Sequence, residues 1–135
     1  MTNAASAIVQ TPPGRNRNAR AQGGSDIALR IAGLSKRYPG TKEWAVSAFD
    51  LAVPHGDFVA LLGPSGCGKT TTLRMLAGLV DPTGGEIFLE NKTLSKTPAH
   101  KRNIGLVFQH YALFPLMSVF ENVAYGLRER RVPNP

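Results

Sequence analysis

Two kinds of hydrophobic pattern alternate along the chain and together predict a mixed α/β fold. Ile27, Leu29 and Ile31 alternate with small or polar residues, which is typical of a half-buried strand. Phe58–Leu62 is an unbroken apolar run, which predicts a strand buried on both faces, as in a parallel sheet covered by helices. Further strands are predicted near residues 44–53, 86–89 and 104–108.

Two other segments show helical spacing. The first has apolar residues at i, i+3, i+4 and i+7, namely Leu73, Leu76, Ala77 and Val80. The second opens at Ser118–Glu121, which matches a capping box, and its apolar face would comprise Val119, Phe120, Val123, Ala124 and Leu127. Residues 1–26 contain few large apolar side chains and are predicted to form a flexible tail, which leaves residues 27–135 as the folded domain.

Composition narrows the class of protein. The net charge of +7 suggests nucleic acid as one candidate partner. However, the basic residues are scattered and no aromatic residues alternate with them. A solvated surface is favoured, and we expect no nucleic-acid partner. With one cysteine, an internal disulfide is impossible. No apolar stretch approaches the roughly 18 residues that span a bilayer, and the N-terminus lacks the apolar core of a secretory signal, so we expect a cytoplasmic protein.

One loop carries a recognisable chemistry. It fits the phosphate-loop pattern G-x-x-x-x-G-K-[ST] with Gly63, Pro64, Ser65, Gly66, Cys67, Gly68, Lys69 and Thr70. Glycines let the backbone curl so that N–H groups converge on phosphate oxygens, and the N-terminus of the following helix favours anions. Lys69 adds a positive charge for the outer phosphates, and Thr70 offers a hydroxyl to Mg²⁺. The predicted ligand is a nucleoside triphosphate.

Cys67 has two interpretations. A helix N-terminus can lower the pKa of a thiol, which would suit a redox role. The favoured interpretation is a small residue where the loop needs one, because the sequence offers no second cysteine or nearby histidine.

Several motifs in a fixed order identify a family. The loop with Thr71 is followed by the segments Leu73–Leu79, Asp81–Ile87, Ile104–Gln109 and Tyr111–Pro115. From about Ile27 to Arg131 the chain closely resembles the ATP-binding subunit of ATP-binding-cassette (ABC) transporters, most of all the importers of polyamines, ferric iron, sulfate and phosphonates. The resemblance implies an α/β P-loop NTPase fold, with a RecA-like core and an N-terminal antiparallel β portion.

The resemblance also implies roles for individual residues. ATP and Mg²⁺ would be held by the loop residues from Gly63 to Thr71, and Lys69 and Gln109 would take part in catalysis. Thr70 and Gln109 would reach Mg²⁺. Tyr38 would stack on adenine and Ala45 would line the same pocket. Without the resemblance, Gln109 is a polar strand end and Tyr38 a core or turn residue.

The same resemblance implies partners. The surface from Tyr111 to Val119 would receive the transmembrane permease, placing the protein on the inner face of the membrane. In the full-length protein two ATP-binding subunits would form a homodimer. The transported solute is not specified by this sequence.

Some family motifs do not occur within the 135 residues. These are the Leu-Ser-Gly-Gly-Gln signature, the acidic strand end that holds Mg²⁺, the following glutamate and the switch histidine. We therefore expect residues 27–135 to be the N-terminal half of an ABC-type ATP-binding domain, truncated before its helical subdomain is complete. The full-length protein would couple ATP hydrolysis to solute uptake. The alternatives are a non-catalytic remnant that binds nucleotide weakly or only docks on a membrane partner, and an unrelated P-loop enzyme such as a kinase, against which the Gln109 segment argues.

Overall fold

The computed structural model describes residues 6–10 and 27–133, with helices and strands where most of the patterns predicted them. In chain order the elements are β1 (Ser6–Gln10), β2 (Ile27–Lys36), β3 (Val46–Pro54), β4 (Phe58–Leu62), α1 (Lys69–Ala77), β5 (Gly84–Leu89), β6 (Lys92–Thr93), a 3₁₀ helix (Ala99–Lys101) and α2 (Val119–Glu129). The described residues divide into two units between Ile104 and Gly105.

The larger sheet of the first unit is antiparallel, with strand order β3-β2-β5-β6. Ile31 of the central strand β2 lies opposite Leu51 of β3 and Ile87 of β5. Ile31 and Ile87 are almost fully buried. The strands predicted near residues 27–31, 44–53 and 86–89 are confirmed.

The hydrophobic core lies where this sheet meets α1. Met75 of α1 is fully buried, as is Leu34 of β2. The buried cluster that contains both comprises Ile31, Leu34, Val46, Phe49, Met75, Ile87 and Leu94. Because Met75 lies in the helix that follows the phosphate loop, core packing fixes that helix against the sheet.

β4, the strand that leads into the phosphate loop, pairs differently from the prediction. An apolar run in a parallel sheet was expected, but Phe58–Leu62 pairs antiparallel with β1, from Ser6 opposite Leu62 to Gln10 opposite Phe58. A strand edge presents unpaired N–H and C=O groups that take a partner where one is within reach. The tail expected over residues 1–26 is therefore wrong for Ser6–Gln10, whose Ala-Ile-Val sequence contains two β-branched residues. Residues 1–5 and 11–26 of that expected tail lie outside the described residues.

The C-terminus of α1 is closed by a glycine. Gly78 has φ 78°, its N–H donates to the Met75 carbonyl at 3.1 Å, and the Leu79 N–H donates to the Arg74 carbonyl at 2.9 Å. These two bonds form a Schellman motif. A Cβ at position 78 would lie 2.5 Å from Nε of Arg102, so only glycine fits there.

Arg102 supplies the remaining donors to this helix end. Its Nη1 donates to the carbonyls of Met75 at 2.8 Å and Leu76 at 2.9 Å, and its Nε donates to the Thr97 carbonyl at 2.8 Å. Only 4% of its surface is exposed. Burial lowers the pKa of the guanidinium, and the Asp81 carboxylate opposes that shift. A cation bound to the last carbonyls also complements the helix dipole.

The strand predicted over residues 104–108 is wrong, because these residues have no regular secondary structure. Ile104 packs against the core, whereas 92% of Val107 is exposed. An apolar run signals burial but not a pairing partner, and a strand needs both.

The second unit is organised around the start of α2. The predicted capping box is confirmed: Ser118 Oγ accepts from the Glu121 N–H, and Ser118 N–H donates to the Glu121 carboxylate. Asn122 holds the preceding segment, since its Oδ1 accepts from the Phe114 N–H at 2.8 Å and its Nδ2 donates to the Met117 carbonyl at 3.1 Å. Phe114 also packs on Tyr125, with ring centroids 4.5 Å apart.

The capping box predicts an acid-sensitive helix. The backbone hydrogen bond from Ser118, aided by the Ser118 hydroxyl, lowers the pKa of the Glu121 carboxyl from its ordinary 4.5. A lowered folded-state pKa means that the stabilisation is present above the unfolded-state value and lost as pH falls through the folded-state value. We expect amide hydrogen exchange in α2, corrected for intrinsic rates, to accelerate on acidification below pH 4.5. Glu121→Gln should remove that pH dependence, whereas Glu129→Gln should retain it.

Among the described residues, no helix has both the length and the apolar character needed to cross a membrane.

Candidate nucleotide-binding site

The phosphate loop joins the end of β4 to the start of α1. Gly66 and Gly68 adopt left-handed backbone conformations, with φ 81° and 92°. A Cβ at Gly68 would lie 2.3 Å from the Ala45 carbonyl oxygen. The chain can therefore turn into α1 this close to Ala45 only because position 68 is glycine.

Lys69 lies folded into the curl of the loop. Its Nζ donates to the carbonyls of Gly63 at 2.8 Å and Pro64 at 2.7 Å, and lies 3.3 Å from Sγ of Cys67. These contacts hold a positive charge inside the loop, and the sequence motif predicts that this loop binds phosphate.

The N-terminus of α1 suits an anion. Its N-cap is Gly68, which has no side chain to cap the helix, and the first turn contains no acidic residue. The first N–H groups of a helix have no intrahelical acceptor, so these groups and the helix dipole favour binding of an external anion at this end. Thr72 is buried and donates to the Gly68 carbonyl at 3.0 Å, which ties the first turn to the loop.

The remaining loop side chains divide by exposure. Pro64, Ser65 and Thr70 are exposed, and Thr71 is half-buried. The Thr70 hydroxyl is thus accessible to a metal ion, and Mg²⁺ in such sites takes few protein ligands besides phosphate oxygens and water. The donor set therefore fits Mg²⁺ with a triphosphate. Among the described residues, no group of three or more His, Cys, Asp or Glu could hold a metal by itself.

Cys67 is a packed residue of the loop. Only 3% of its surface is exposed, and a Cβ at Gly63 would lie 2.5 Å from its sulfur. The sulfur is thus packed inside the loop and inaccessible to solvent, which favours the small-residue interpretation over a redox role.

Of the two residues expected at the base, Ala45 lies against the loop and Tyr38 is linked to Ala45 through Lys36. Ala45 approaches Gly68 through its carbonyl oxygen, and its N–H donates to the Lys36 carbonyl at 2.8 Å. Tyr38 begins a turn in which its own carbonyl accepts from the Thr41 N–H at 3.2 Å. The Lys36 ammonium lies 5.3 Å from the centroid of the Tyr38 ring. The structure thus joins Ala45 to the loop, and Lys36 contacts both Ala45 and Tyr38.

Gln109 belongs to the second unit, where it is exposed and lies in a turn. Its expected part in catalysis and in binding Mg²⁺ stays a prediction. In the same unit the segment from Phe114 to Met117 exposes apolar side chains, and Leu116 is 99% exposed. The sequence predicted an apolar contact loop here, but it gave no sign that Asn122 holds the loop in place.

Comparisons with known proteins agree on one family. A family model described as "ABC transporter" matches residues 46–134, more than half of the chain. The spermidine/putrescine import ATP-binding protein PotA of Aliivibrio fischeri is 47% identical over 115 residues, covering 85% of this chain and 30% of the relative. PotA of Haemophilus influenzae is 56% identical over 89 residues, covering 66% of this chain and 24% of the relative. The chain thus spans less than a third of these relatives.

A solved structure confirms the fold. The ATP-binding cassette MJ0796, a dimer in a post-hydrolysis state bound to ADP and Pi, matches with a TM-score of 0.67 and 27% identity. The match covers 79% of this chain and 50% of that one. The predicted P-loop NTPase fold class is confirmed in a chain that covers half of the cassette. With the loop geometry, the family match and these relatives in agreement, the chain belongs to the ABC transporter family.

Proposed function

We propose that this chain binds Mg²⁺-ATP as the N-terminal half of the nucleotide-binding domain of an ABC importer. The observation that carries the proposal is the loop itself, in which the Lys69 ammonium is bonded to the carbonyls of Gly63 and Pro64 and α1 begins without a side-chain cap. Both features favour a dense cluster of negative oxygens. The names of the curated relatives support an importer and make spermidine and putrescine the first solutes to test.

Different residues of the site would bind different parts of the ligand. Loop N–H groups and Lys69 would hold the phosphates, and Thr70 would reach the metal. When bound, Mg²⁺ bridges phosphate oxygens and neutralises charge there. Tyr38, which is 36% exposed, would stack on the base, an interaction that every nucleobase can make. Ala45 would line the same pocket.

The partners proposed for the whole protein follow from the same assignment. The apolar segment from Phe114 to Met117 would meet a transmembrane permease, since exposed apolar patches mark contact sites. The protein would thereby sit on the inner face of the membrane. A dimer of nucleotide-binding subunits is supported by the dimeric state of MJ0796. Gln109 would act at the metal and the attacking water.

The test is binding without turnover by the 135-residue polypeptide. Calorimetry should detect ATP binding in the presence of Mg²⁺, and phosphate release should stay at background. Phosphate binding alone does not position water or stabilise the transition state, and the 135 residues contain no signature motif or apolar strand ending in Asp-Glu. Failure to bind ATP would refute the proposed function. Sustained ATP hydrolysis by the purified polypeptide would refute the expectation that these 135 residues bind ATP without turning it over.

A further inference from the structure

Lys36, at the end of β2, contacts both residues assigned to the base pocket. Its ammonium lies 5.3 Å from the centroid of the Tyr38 ring, within the range of a cation–π contact. Its carbonyl accepts from the Ala45 N–H at 2.8 Å. We propose that Lys36 is a positioning residue for the nucleotide base, which fixes the Tyr38 ring from one face and leaves the other face to the base. This inference rests on the proposed function.

The ammonium is anchored independently of the ring. Nζ of Lys36 donates to the Asp81 carbonyl at 2.6 Å, across 45 residues of sequence. This bond joins the end of β2 to the connection between α1 and β5. The lysine therefore cannot leave the Tyr38 ring without breaking a long-range hydrogen bond.

The anchor is itself held in place by Thr83. The Thr83 N–H donates to the Ser35 carbonyl at 2.8 Å. The Thr83 hydroxyl accepts from the Arg37 N–H at 3.1 Å and donates to the Arg37 carbonyl at 3.3 Å. Bonds on both sides of Lys36 thus fix the segment that contains Asp81, and with it the position of the ammonium.

Tyr38 needs such support because its backbone alone does not orient the ring. Its carbonyl accepts from the N–H and the hydroxyl of Thr41, which fixes the turn but leaves the side chain 36% exposed. An exposed ring samples several rotamers, and each one that does not face the base weakens stacking. A cation on one face selects a single orientation before the nucleotide arrives.

The experiment separates the base from the phosphates. Dissociation constants are measured by calorimetry for Mg²⁺-ATP and for Mg²⁺ with inorganic tripolyphosphate, which lacks a base. Lys36→Met keeps the aliphatic stem and removes the ammonium. We expect it to weaken ATP binding about 3- to 10-fold, in line with cation–π and stacking strengths. Tripolyphosphate binding should change less than about twofold, because the phosphate loop is intact.

Two further variants control for charge and for chemistry. Lys42→Met removes the same charge from an exposed lysine of the connection between β2 and β3, and it should bind ATP like the wild type. Lys36→Arg keeps a cation and a donor, and it should restore most of the ATP affinity. In a Tyr38→Ala background, Lys36→Met should cause no further loss of ATP affinity, since the ring that it orients is gone.

The results that would overturn the inference are equally specific. Equal weakening of ATP and tripolyphosphate binding by Lys36→Met, or an undiminished loss in the Tyr38→Ala background, would show that Lys36 acts on the fold or on the phosphates. Unchanged ATP affinity would show that it does not act on the base. Wild-type protein that binds neither ligand would instead refute the proposed function.

Discussion

Replacing Lys69 with alanine should weaken ATP binding by roughly 10- to 150-fold, the equivalent of losing one charge-assisted hydrogen-bonding group. In the free protein the ammonium is bonded to the carbonyls of Gly63 and Pro64. Those carbonyls belong to exposed residues and can bond to water once the lysine is removed. The substitution should therefore lower affinity much more than stability. Calorimetric titration with Mg²⁺-ATP and a urea unfolding curve measure the two effects separately.

The control is Lys101→Ala, which removes the same charge from an exposed lysine of the 3₁₀ helix. It should bind ATP like the wild type. Equal affinities for ATP in wild type and Lys69→Ala would contradict the phosphate-loop assignment. Equal losses in Lys69→Ala and Lys101→Ala would show that only net charge matters.

The largest expected effect on stability is at Arg102. Arg102→Met keeps much of the side-chain volume but removes the guanidinium donors from the carbonyls of Met75, Leu76 and Thr97. The Met75 carbonyl keeps its bond from the Gly78 N–H, so the main loss is at the carbonyls of Leu76 and Thr97. Each buried group left without a hydrogen bond costs about 1–3 kcal/mol. Removing the guanidinium also removes the free-energy cost of burying its charge, which offsets part of this loss. We expect the free energy of unfolding to fall by about 2–4 kcal/mol, measured by urea denaturation.

Arg74→Met is the matched control, because Arg74 is an exposed arginine in the last turn of the same helix. Surface substitutions usually change stability by less than about 0.5 kcal/mol. A drop of similar size in both variants would mean that loss of positive charge near the helix C-terminus, and not the three hydrogen bonds, explains the effect. No drop in Arg102→Met would contradict the structural role.

The parts of the site that sequence could predict are those whose physics is local. The spacing of Gly63, Gly68 and Lys69 specifies a curled loop at a helix start, whatever surrounds it. The capping box of α2 is also local, because Ser118 and Glu121 are three residues apart. Both predictions depended only on interactions between residues that are close together in the sequence.

The parts that could not be predicted depend on distant partners. Lys36 contacts Asp81 across 45 residues, and Arg102 contacts Met75 across 27. No short sequence pattern indicates that Lys36 or Arg102 forms these long-range hydrogen bonds. The two errors in strand prediction have the same cause. Ser6–Gln10 forms a strand because β4 offers a partner, and residues 104–108 form none although they are apolar.

The bonds from Lys69 to its own loop have a consequence for the kinetics of binding. A loop already closed by its lysine has little conformational freedom to lose when a triphosphate binds. Most of the entropy cost of ordering the loop is therefore incurred when the protein folds, and little of it when the ligand associates. The lysine has only to redirect its donors towards phosphate oxygens. Encounter of ligand and loop should then limit the association rate, and differences in affinity among loop variants should arise mainly from how fast the nucleotide leaves.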